Sequence, residues 1–179
     1  MKGFTVIELM IVLVIAGVLV TIGVPAMTVL IDNNRLASEA NRFAGSVRYA
    51  RSEAIRRNQV VTIDRISNTN RAWEDGWQIY VDVSGDGNKN IDTGAGDILL
   101  RQEEAAENKI TIRSDEDGNQ WLSYNGDGTL REGGDSAAYH ICDNRGSAEG
   151  TAVTISPTGR VNTGAIADDD DCTPNETDD

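Results

Sequence analysis

The spacing of hydrophobic residues changes twice along the chain, near residues 32 and 59. Leu9 to Val20 is a run of twelve residues without a polar side chain, and the apolar stretch continues to Ile31. At a rise of about 1.5 Å per residue, about 20 apolar residues cross the hydrocarbon core of a bilayer. The run therefore predicts a transmembrane helix over residues 4–31.

A second pattern follows in residues 32–58, where apolar side chains recur at intervals of three and four. This spacing places them on one face of an α-helix. The members of this apolar stripe are Leu36, Ala40, Phe43, Val47, Ala50 and Ala54. We therefore expect one helix from Phe4 to Asn58, with an amphipathic second half that forms the spine of a head domain.

Six arginines of this segment lie mostly off the apolar stripe. They are Arg35, Arg42, Arg48, Arg51, Arg56 and Arg57. Physical chemistry alone favours a solvated helix face for Arg51, Arg56 and Arg57.

Beyond residue 58 the period becomes two, which is typical of β-strands. The predicted strands are Val60–Arg65, Trp77–Asp82, Ile98–Arg101, Ile110–Arg113, Trp121–Tyr124, Tyr139–Cys142, Val153–Ile155 and Arg160–Val161. The loops are rich in Gly, Asp and Asn, and Asn125–Gly128 is a strong hairpin signal. The expected fold class is α+β: a long N-terminal helix packed on an antiparallel β head domain over residues 59–172. Residues 173–179 are expected to form an acidic, disordered tail.

Charge is distributed unevenly along the chain. Residues 1–71 hold nine Lys/Arg and five Asp/Glu, a net charge of +4, whereas residues 72–179 hold seven and 24, a net charge of −17. An acidic distal region disfavours contact with phosphates, so nucleic acid is not an expected partner.

One carboxylate interrupts the apolar N-terminal segment. An ionised Glu8 in hydrocarbon costs roughly 2.5–3.5 kcal/mol, so a partner charge is expected for it. A cleaved secretory signal or an ordinary single-pass anchor would also account for an apolar N-terminal segment. A signal peptide carries its charge before the apolar core, and an ordinary anchor gains nothing from Glu8.

The segment Gly3–Glu8, with leader residues 1–3, resembles the processing site of type IV pilins and type II secretion pseudopilins. The resemblance implies that a prepilin peptidase cuts between Gly3 and Phe4 and that the Phe4 amine becomes methylated. It also implies that Glu8 pairs with the Phe4 ammonium of a neighbouring subunit during assembly.

Later segments resemble the GspH/FimT group of minor pilins. The landmarks are the block Tyr49–Arg57, Trp77 ahead of Asp82, Ile98–Arg101, Cys142-Asp143 and Ile155–Arg160. The resemblance implies a non-enzymatic minor type IV pilin that primes or caps the pilus tip, anchored in the inner membrane with its head in the periplasm. A minor pseudopilin of a type II secretion system and a DNA-uptake minor pilin are the alternatives. Other pilins, minor pilins and the prepilin peptidase are the expected partners.

Export would place the two cysteines in an oxidising compartment, where pairing is favoured. A bond between Cys142 and Cys172 closes a 31-residue loop and stabilises by roughly 3–4 kcal/mol in the chain-entropy model. Two free thiols are the alternative. His140, two residues before Cys142, is expected to be structural.

Two segments resemble ligand sites incompletely. The loop after Asp82 places Asp86 and Asp92 near the positions of a calcium loop, with Asp97 as a weaker fourth candidate, but lacks the bidentate glutamate at position twelve. A polar hairpin loop is the preferred interpretation, so no metal is expected.

The other incomplete match concerns DNA. Some members of the resembled group bind DNA through a Gly-Arg-x-Arg element, and here Arg160 lacks the second arginine and is followed by Asp168–Asp171. A structural or interface role is the preferred interpretation of Arg160. No catalytic set or cofactor motif is recognisable, so neither enzymatic activity nor a cofactor is expected.

Overall fold

The computed structural model describes residues 3–66, 73–84, 91–106, 109–114, 121–131, 137–167 and 172, apart from the side chains of residues 22–26. The chain divides into two compact units, Met1–Arg35 and Leu36–Asp179. Helix α1 spans Val6–Arg57 and contributes residues to both units. The strands are β1 (Val60–Arg65), β2 (Trp77–Asp82), β3 (Ile98–Glu103), β4 (Thr111–Ser114), β5 (Trp121–Tyr124), β6 (Ala137–Cys142), β7 (Thr151–Ile155) and β8 (Val161–Ala165), with a 3₁₀ turn at Ser147–Glu149.

Helix α1 ends one residue before the predicted boundary. Asn58 has a φ of 52°, the left-handed conformation that commonly closes a helix. The Gln59 N–H donates to the Ala54 carbonyl at 3.3 Å, which satisfies one of the last helical acceptors. Asparagine adopts the left-handed conformation more readily than most residues, so Asn58 itself explains why the helix ends here.

The strands form two four-stranded antiparallel sheets. Sheet A has the order β3-β2-β1-β5, and sheet B has the order β4-β6-β7-β8. In sheet A, β1 pairs with both β2 and β5, so Ile63 lies opposite Ile79 on one side and Leu122 on the other. The α+β class predicted from the sequence is confirmed, with the strands divided between two sheets.

The hydrophobic core of the head unit joins the helix stripe to both sheets. All six stripe residues are buried, and so is Ala44. Phe43 lies at the centre, with ring centroids 5.6 Å from Trp73, 5.2 Å from Trp77 of β2 and 4.8 Å from Tyr139 of β6. The two pairs with tryptophan are edge-to-face, an arrangement that adds to the energy of burial. Ala40 and Ala44 flank Phe43 on the helix and are buried with it.

Burial in β1 does not follow the period-two pattern of its residue types. Five of its six residues are buried, including Thr62 and Asp64 on the polar alternate positions. The Thr62 hydroxyl bonds to the Ser123 hydroxyl of β5 at 2.8 Å, which compensates for its burial. As the central strand of sheet A, β1 is covered on both faces.

The predicted strand at Arg160–Val161 is also corrected. Arg160 lies in the turn before β8, and the strand continues to Ala165. Residues 162–165 are small or polar and exposed because β8 is the edge of sheet B. An edge strand of this composition shows no period-two signal.

Candidate functional sites

The first candidate site is the start of α1. The Thr5 hydroxyl accepts a hydrogen bond from the Glu8 backbone N–H at 3.3 Å, and the Thr5 carbonyl accepts one from the Leu9 N–H at 3.2 Å. Thr5 is therefore the N-cap, and Glu8 lies three residues later in the first turn. A Thr-x-x-Glu spacing is the signature of a capping box, and a carboxylate here also faces the positive end of the helix dipole. Thr5 was missed in the sequence analysis, although this spacing indicates it.

The surroundings of Glu8 are apolar and exposed. The side chains of residues 3–21 are exposed, with Phe4 at 84% of its full accessibility. Within the described part of the chain, no cation pairs with the Glu8 carboxylate. The structure thus leaves both Phe4 and the Glu8 carboxylate available for contacts outside the chain.

The second candidate site lies at the other end of α1, where Arg51 joins two turns. Its Nε donates to the Gly128 carbonyl at 2.8 Å, and its Nη2 donates to the Thr158 carbonyl at 3.1 Å. Gly128 closes the turn at residues 125–128 that follows β5, and Thr158 belongs to the turn at residues 156–159 between β7 and β8. One helical side chain therefore holds a turn from each sheet.

The two turns also contact each other directly. The Leu130 N–H donates to the Pro157 carbonyl at 3.1 Å. Gly159 has a φ of +77°, and a Cβ there would lie 2.1 Å from the Gly128 carbonyl oxygen and 2.7 Å from the Arg51 Nε. Only glycine fits this position, so the Ser-Pro-Thr-Gly-Arg landmark has a structural explanation.

A groove adjoins this junction. Its volume is about 310 Å³, which is at the lower end of the range of ligand-sized clefts. We call it the arginine groove. It is lined by Arg48, Arg51, Ser52 and Ile55 of α1 and by Gly159, Arg160 and Val161.

The interpretation as a solvated helix face is wrong for Arg51, which is half-buried, whereas Arg56 and Arg57 are exposed. Besides Arg51, Arg42 donates to the Glu104 carbonyl at 3.0 Å and stacks 4.7 Å from the centre of the Trp77 ring. Arg56 and Arg57 donate to Glu53. The sequence pattern placed Arg42 and Arg51 off the apolar stripe but could not show the backbone carbonyls that they contact.

Glu53 is a buried carboxylate on this face. It accepts hydrogen bonds from Arg56 at 2.6 Å and from Arg57 at 2.8 Å. These bonds, first from Arg56 and then from Arg57, hold the pKa of Glu53 below its usual value despite burial. Glu53, Arg56 and Arg57 therefore form a structural ion-pair cluster within one segment of α1.

The calcium candidates surround a hydrogen-bonded loop. The Asp97 carboxylate accepts from the Val83 N–H at 2.9 Å and from the Asp92 N–H at 2.8 Å. Asp82 is buried, and Asp86 lies outside the described residues. Because backbone N–H groups occupy the carboxylate oxygens of Asp97, the described acids act as loop-forming acceptors here.

A disulfide bond joins Cys142 and Cys172, with Cα atoms 6.0 Å apart. Cys142 and His140 are both buried in β6. The acidic residues 168–171 and the predicted tail 173–179 lie outside the described residues. Among the described residues, no group of acids, histidines and cysteines could hold a metal ion.

Across the described residues, no helix is both long enough and apolar enough to cross a membrane. Insertion of residues 4–31 into a bilayer stays a prediction.

The long helix, its motif-bearing start and the two antiparallel sheets define a type IV pilin-like protein. A family model described as type II transport protein GspH matches residues 39–159, and one described as prokaryotic N-terminal methylation motif matches residues 1–24. The chain belongs to the GspH family, a family of minor pilins and pseudopilins. The resemblance inferred from the sequence is confirmed.

Two solved proteins share the fold. The minor pilin FimU of Pseudomonas aeruginosa is 23% identical, with 75% of this chain and 92% of that chain covered and a TM-score of 0.61. The minor pseudopilin EpsH of Vibrio cholerae is 14% identical, with 73% and 97% covered and a TM-score of 0.50. Comparison with curated proteins gives no significant match. At these identities the solved structures establish the fold of the chain. They do not distinguish a subunit of a type IV pilus from a subunit of a type II secretion pseudopilus.

Proposed function

We propose that the protein is a minor type IV pilin, a non-enzymatic subunit that primes or caps pilus assembly at the tip. The observation that carries the proposal is the Glu8 carboxylate in the first turn of an exposed apolar helix, with which no cation among the described residues pairs. Its position, five residues after the Gly3 carbonyl, matches the methylation motif.

Cleavage after Gly3 by a prepilin peptidase would create an ammonium group at Phe4. That cation and the Glu8 carboxylate of an adjacent subunit compensate for each other's desolvation. An unpaired carboxylate in hydrocarbon costs roughly 2.5–3.5 kcal/mol, so the pair favours docked subunits over isolated ones. Glu8 thus selects for assembly.

The proposed location follows from the same segment. Residues 4–31 would anchor the subunit in the inner membrane before assembly and lie in the filament core afterwards. The head would face the periplasm, where the Cys142–Cys172 bond persists because the compartment is oxidising.

The test is incorporation of Glu8→Val into filaments. We expect the variant to be inserted and cleaved normally, as measured by membrane fractionation and mass spectrometry, but to be absent from sheared filaments. Glu104→Val, the same change at an exposed head position, is the matched control and should be incorporated. Normal amounts of Glu8→Val in sheared filaments would contradict the docking role.

A second control separates docking from helix capping. Thr5→Ala removes the N-cap acceptor, which costs about 1 kcal/mol of helix stability, while it keeps the carboxylate. We expect Thr5→Ala to enter filaments. If it fails as completely as Glu8→Val, the capping box rather than the intersubunit pair explains the requirement for Glu8.

A minor pseudopilin of a type II secretion system is the second candidate. The description of the matching family model and the fold shared with EpsH favour it. Deletion of the gene distinguishes the two machines. Loss of surface pili that returns on complementation supports the pilus, whereas normal pili with loss of protein secretion supports the pseudopilus.

A further inference from the structure

The arginine groove is unusual in its charge balance. Elsewhere in the head, arginines pair with acids: Arg42 with Glu39, Arg113 with Glu74 and Arg145 with Asp143. By contrast, Arg48, Arg51 and Arg160 form no ion pair within the described part of the chain. Three cations without a carboxylate partner therefore converge on one groove of a chain whose net charge is −13.

The arginines of the groove are held by backbone rather than by acids. Arg51 is fixed by the Gly128 and Thr158 carbonyls, and Arg48 donates to the Val161 carbonyl at 3.4 Å. These bonds orient the guanidinium groups without neutralising them. Arg160 is exposed, and its backbone N–H donates to the Ser156 hydroxyl at 3.2 Å, which holds the turn that presents it.

We propose that the arginine groove binds an acidic peptide segment of a neighbouring pilin subunit. Guanidinium groups bind carboxylates in a bidentate manner, and two or three Asp or Glu side chains would match the cations of the groove. Ile55 supplies an apolar wall. The inference rests on the proposed assembly function and specifies one contact within it.

The charge of the remaining head supports selectivity for one docking position. With a net charge of −17 over residues 72–179, the distal region repels an acidic segment wherever arginines are already neutralised. Repulsion of the acidic segment elsewhere on the head and its attraction to the arginine groove favour one docking position. The chain itself carries a segment of the required chemistry, because residues 168–179 include seven Asp or Glu.

An acidic peptide fits these observations better than nucleic acid does. Duplex DNA carries a phosphate charge about every 1.7 Å and gains affinity from many cationic contacts. The groove offers three arginines, and two of them already donate to carbonyl groups. A short carboxylate-bearing segment needs no extended basic surface.

The experiment measures binding of a peptide to the isolated full-length protein in detergent micelles. The probe is a fluorescent peptide with the sequence of residues 166–179 and Cys172→Ser, and its control carries Asn and Gln in place of Asp and Glu. We expect the acidic peptide to bind and the control peptide with Asn and Gln not to bind. The affinity of the acidic peptide should fall as the salt concentration rises. A chain ending at Cys172, which keeps the disulfide, is measured in parallel to remove competition from Glu176, Asp178 and Asp179 of the same chain.

Arginine variants locate the binding surface. Arg48→Gln with Arg160→Gln should weaken peptide binding about tenfold or more, whereas Arg101→Gln should change it less than about twofold. Arg101 lies on β3 at the opposite edge of sheet A from β5. Arg48→Gln and Arg160→Gln are also measured singly, so that each can be compared with Arg101→Gln at an equal change in charge. Circular dichroism checks the fold of each variant. Equal effects of the groove and control variants, or no peptide binding to either chain, overturns the proposal.

Duplex DNA is the competing ligand in the same assay. Tighter binding of DNA than of the peptide, with about a tenfold loss in Arg160→Ala, would replace this proposal with a DNA-uptake role. Because the assay uses isolated protein, its failure leaves the Glu8 experiment unaffected.

Discussion

The two halves of α1 differ in the exposure of their apolar side chains. In the unit Met1–Arg35, apolar side chains such as Leu13 and Leu19 are more than 60% exposed. In the unit Leu36–Asp179, the stripe from Leu36 to Ala54 is buried against the sheets. The first half exposes its apolar side chains, whereas the second half buries them within the chain.

This difference teaches where each kind of substitution should act. Changes in the head should alter the free energy of unfolding of the isolated protein. Changes at Phe4 or Glu8 should leave the unfolding of the head unchanged and alter assembly. Predictions in the head therefore test one side of the comparison, and the filament experiments test the other.

Removal of the disulfide should have the largest effect on the head. Closure of a 31-residue loop contributes about 3–4 kcal/mol in the chain-entropy model, so Cys142→Ser with Cys172→Ser should lose about that much stability in urea unfolding. Cys172→Ser alone is the control, since breaking the bond from one side should cost nearly the same. A loss of stability below about 1 kcal/mol would show that removal of the disulfide adds little conformational entropy to the unfolded chain.

Gly159→Ala should have the next largest effect. The new Cβ would collide with the Gly128 carbonyl, and the left-handed backbone is unfavourable for alanine. We expect a loss of at least about 2 kcal/mol, because the left-handed conformation and the overlap each cost at least about 1 kcal/mol.

Gly45→Ala is the matched control for this change. Gly45 is exposed on α1, and a Cβ there meets no atom within 4 Å. Alanine should stabilise the helix by about 0.5–1 kcal/mol. Similar effects at the two glycines would contradict the close contact between the turns.

The sequence predicted the fold wherever a strand carries a strong local pattern. The bounds of β1, β2 and β5 were predicted residue for residue because β-branched and aromatic residues there meet clear turn signals. The bounds of β8 were not, since its small polar residues take their conformation from pairing with β7. Burial of Trp73 likewise depends on tertiary packing that no periodicity shows.

The candidate sites divide in the same way. The start of α1 was predictable because its signal is contiguous, from Gly3 to Glu8. The role of Arg51 was not, because its acceptors Gly128 and Thr158 are 77 and 107 residues away in sequence. A local clue did exist: glycines in both turns, next to polar turn residues, indicate close backbone approach.

The smallest expected effect concerns Glu53, which tests whether the second half of α1 is stabilised by charge as well as by burial. Because the folded pKa of Glu53 lies below its unfolded value of about 4.3, the ionised form stabilises the folded state above that pH. This contribution is lost as pH falls through the folded pKa. Glu53→Gln should therefore cost about 1–2 kcal/mol at neutral pH, and its difference from the wild type should shrink below about pH 4. Glu104→Gln, at an exposed position, should show neither effect in urea unfolding followed from neutral to acidic pH. A Glu53→Gln penalty that is independent of pH would assign the stabilisation to side-chain packing, and the contrast between the halves of α1 would then rest on apolar burial alone.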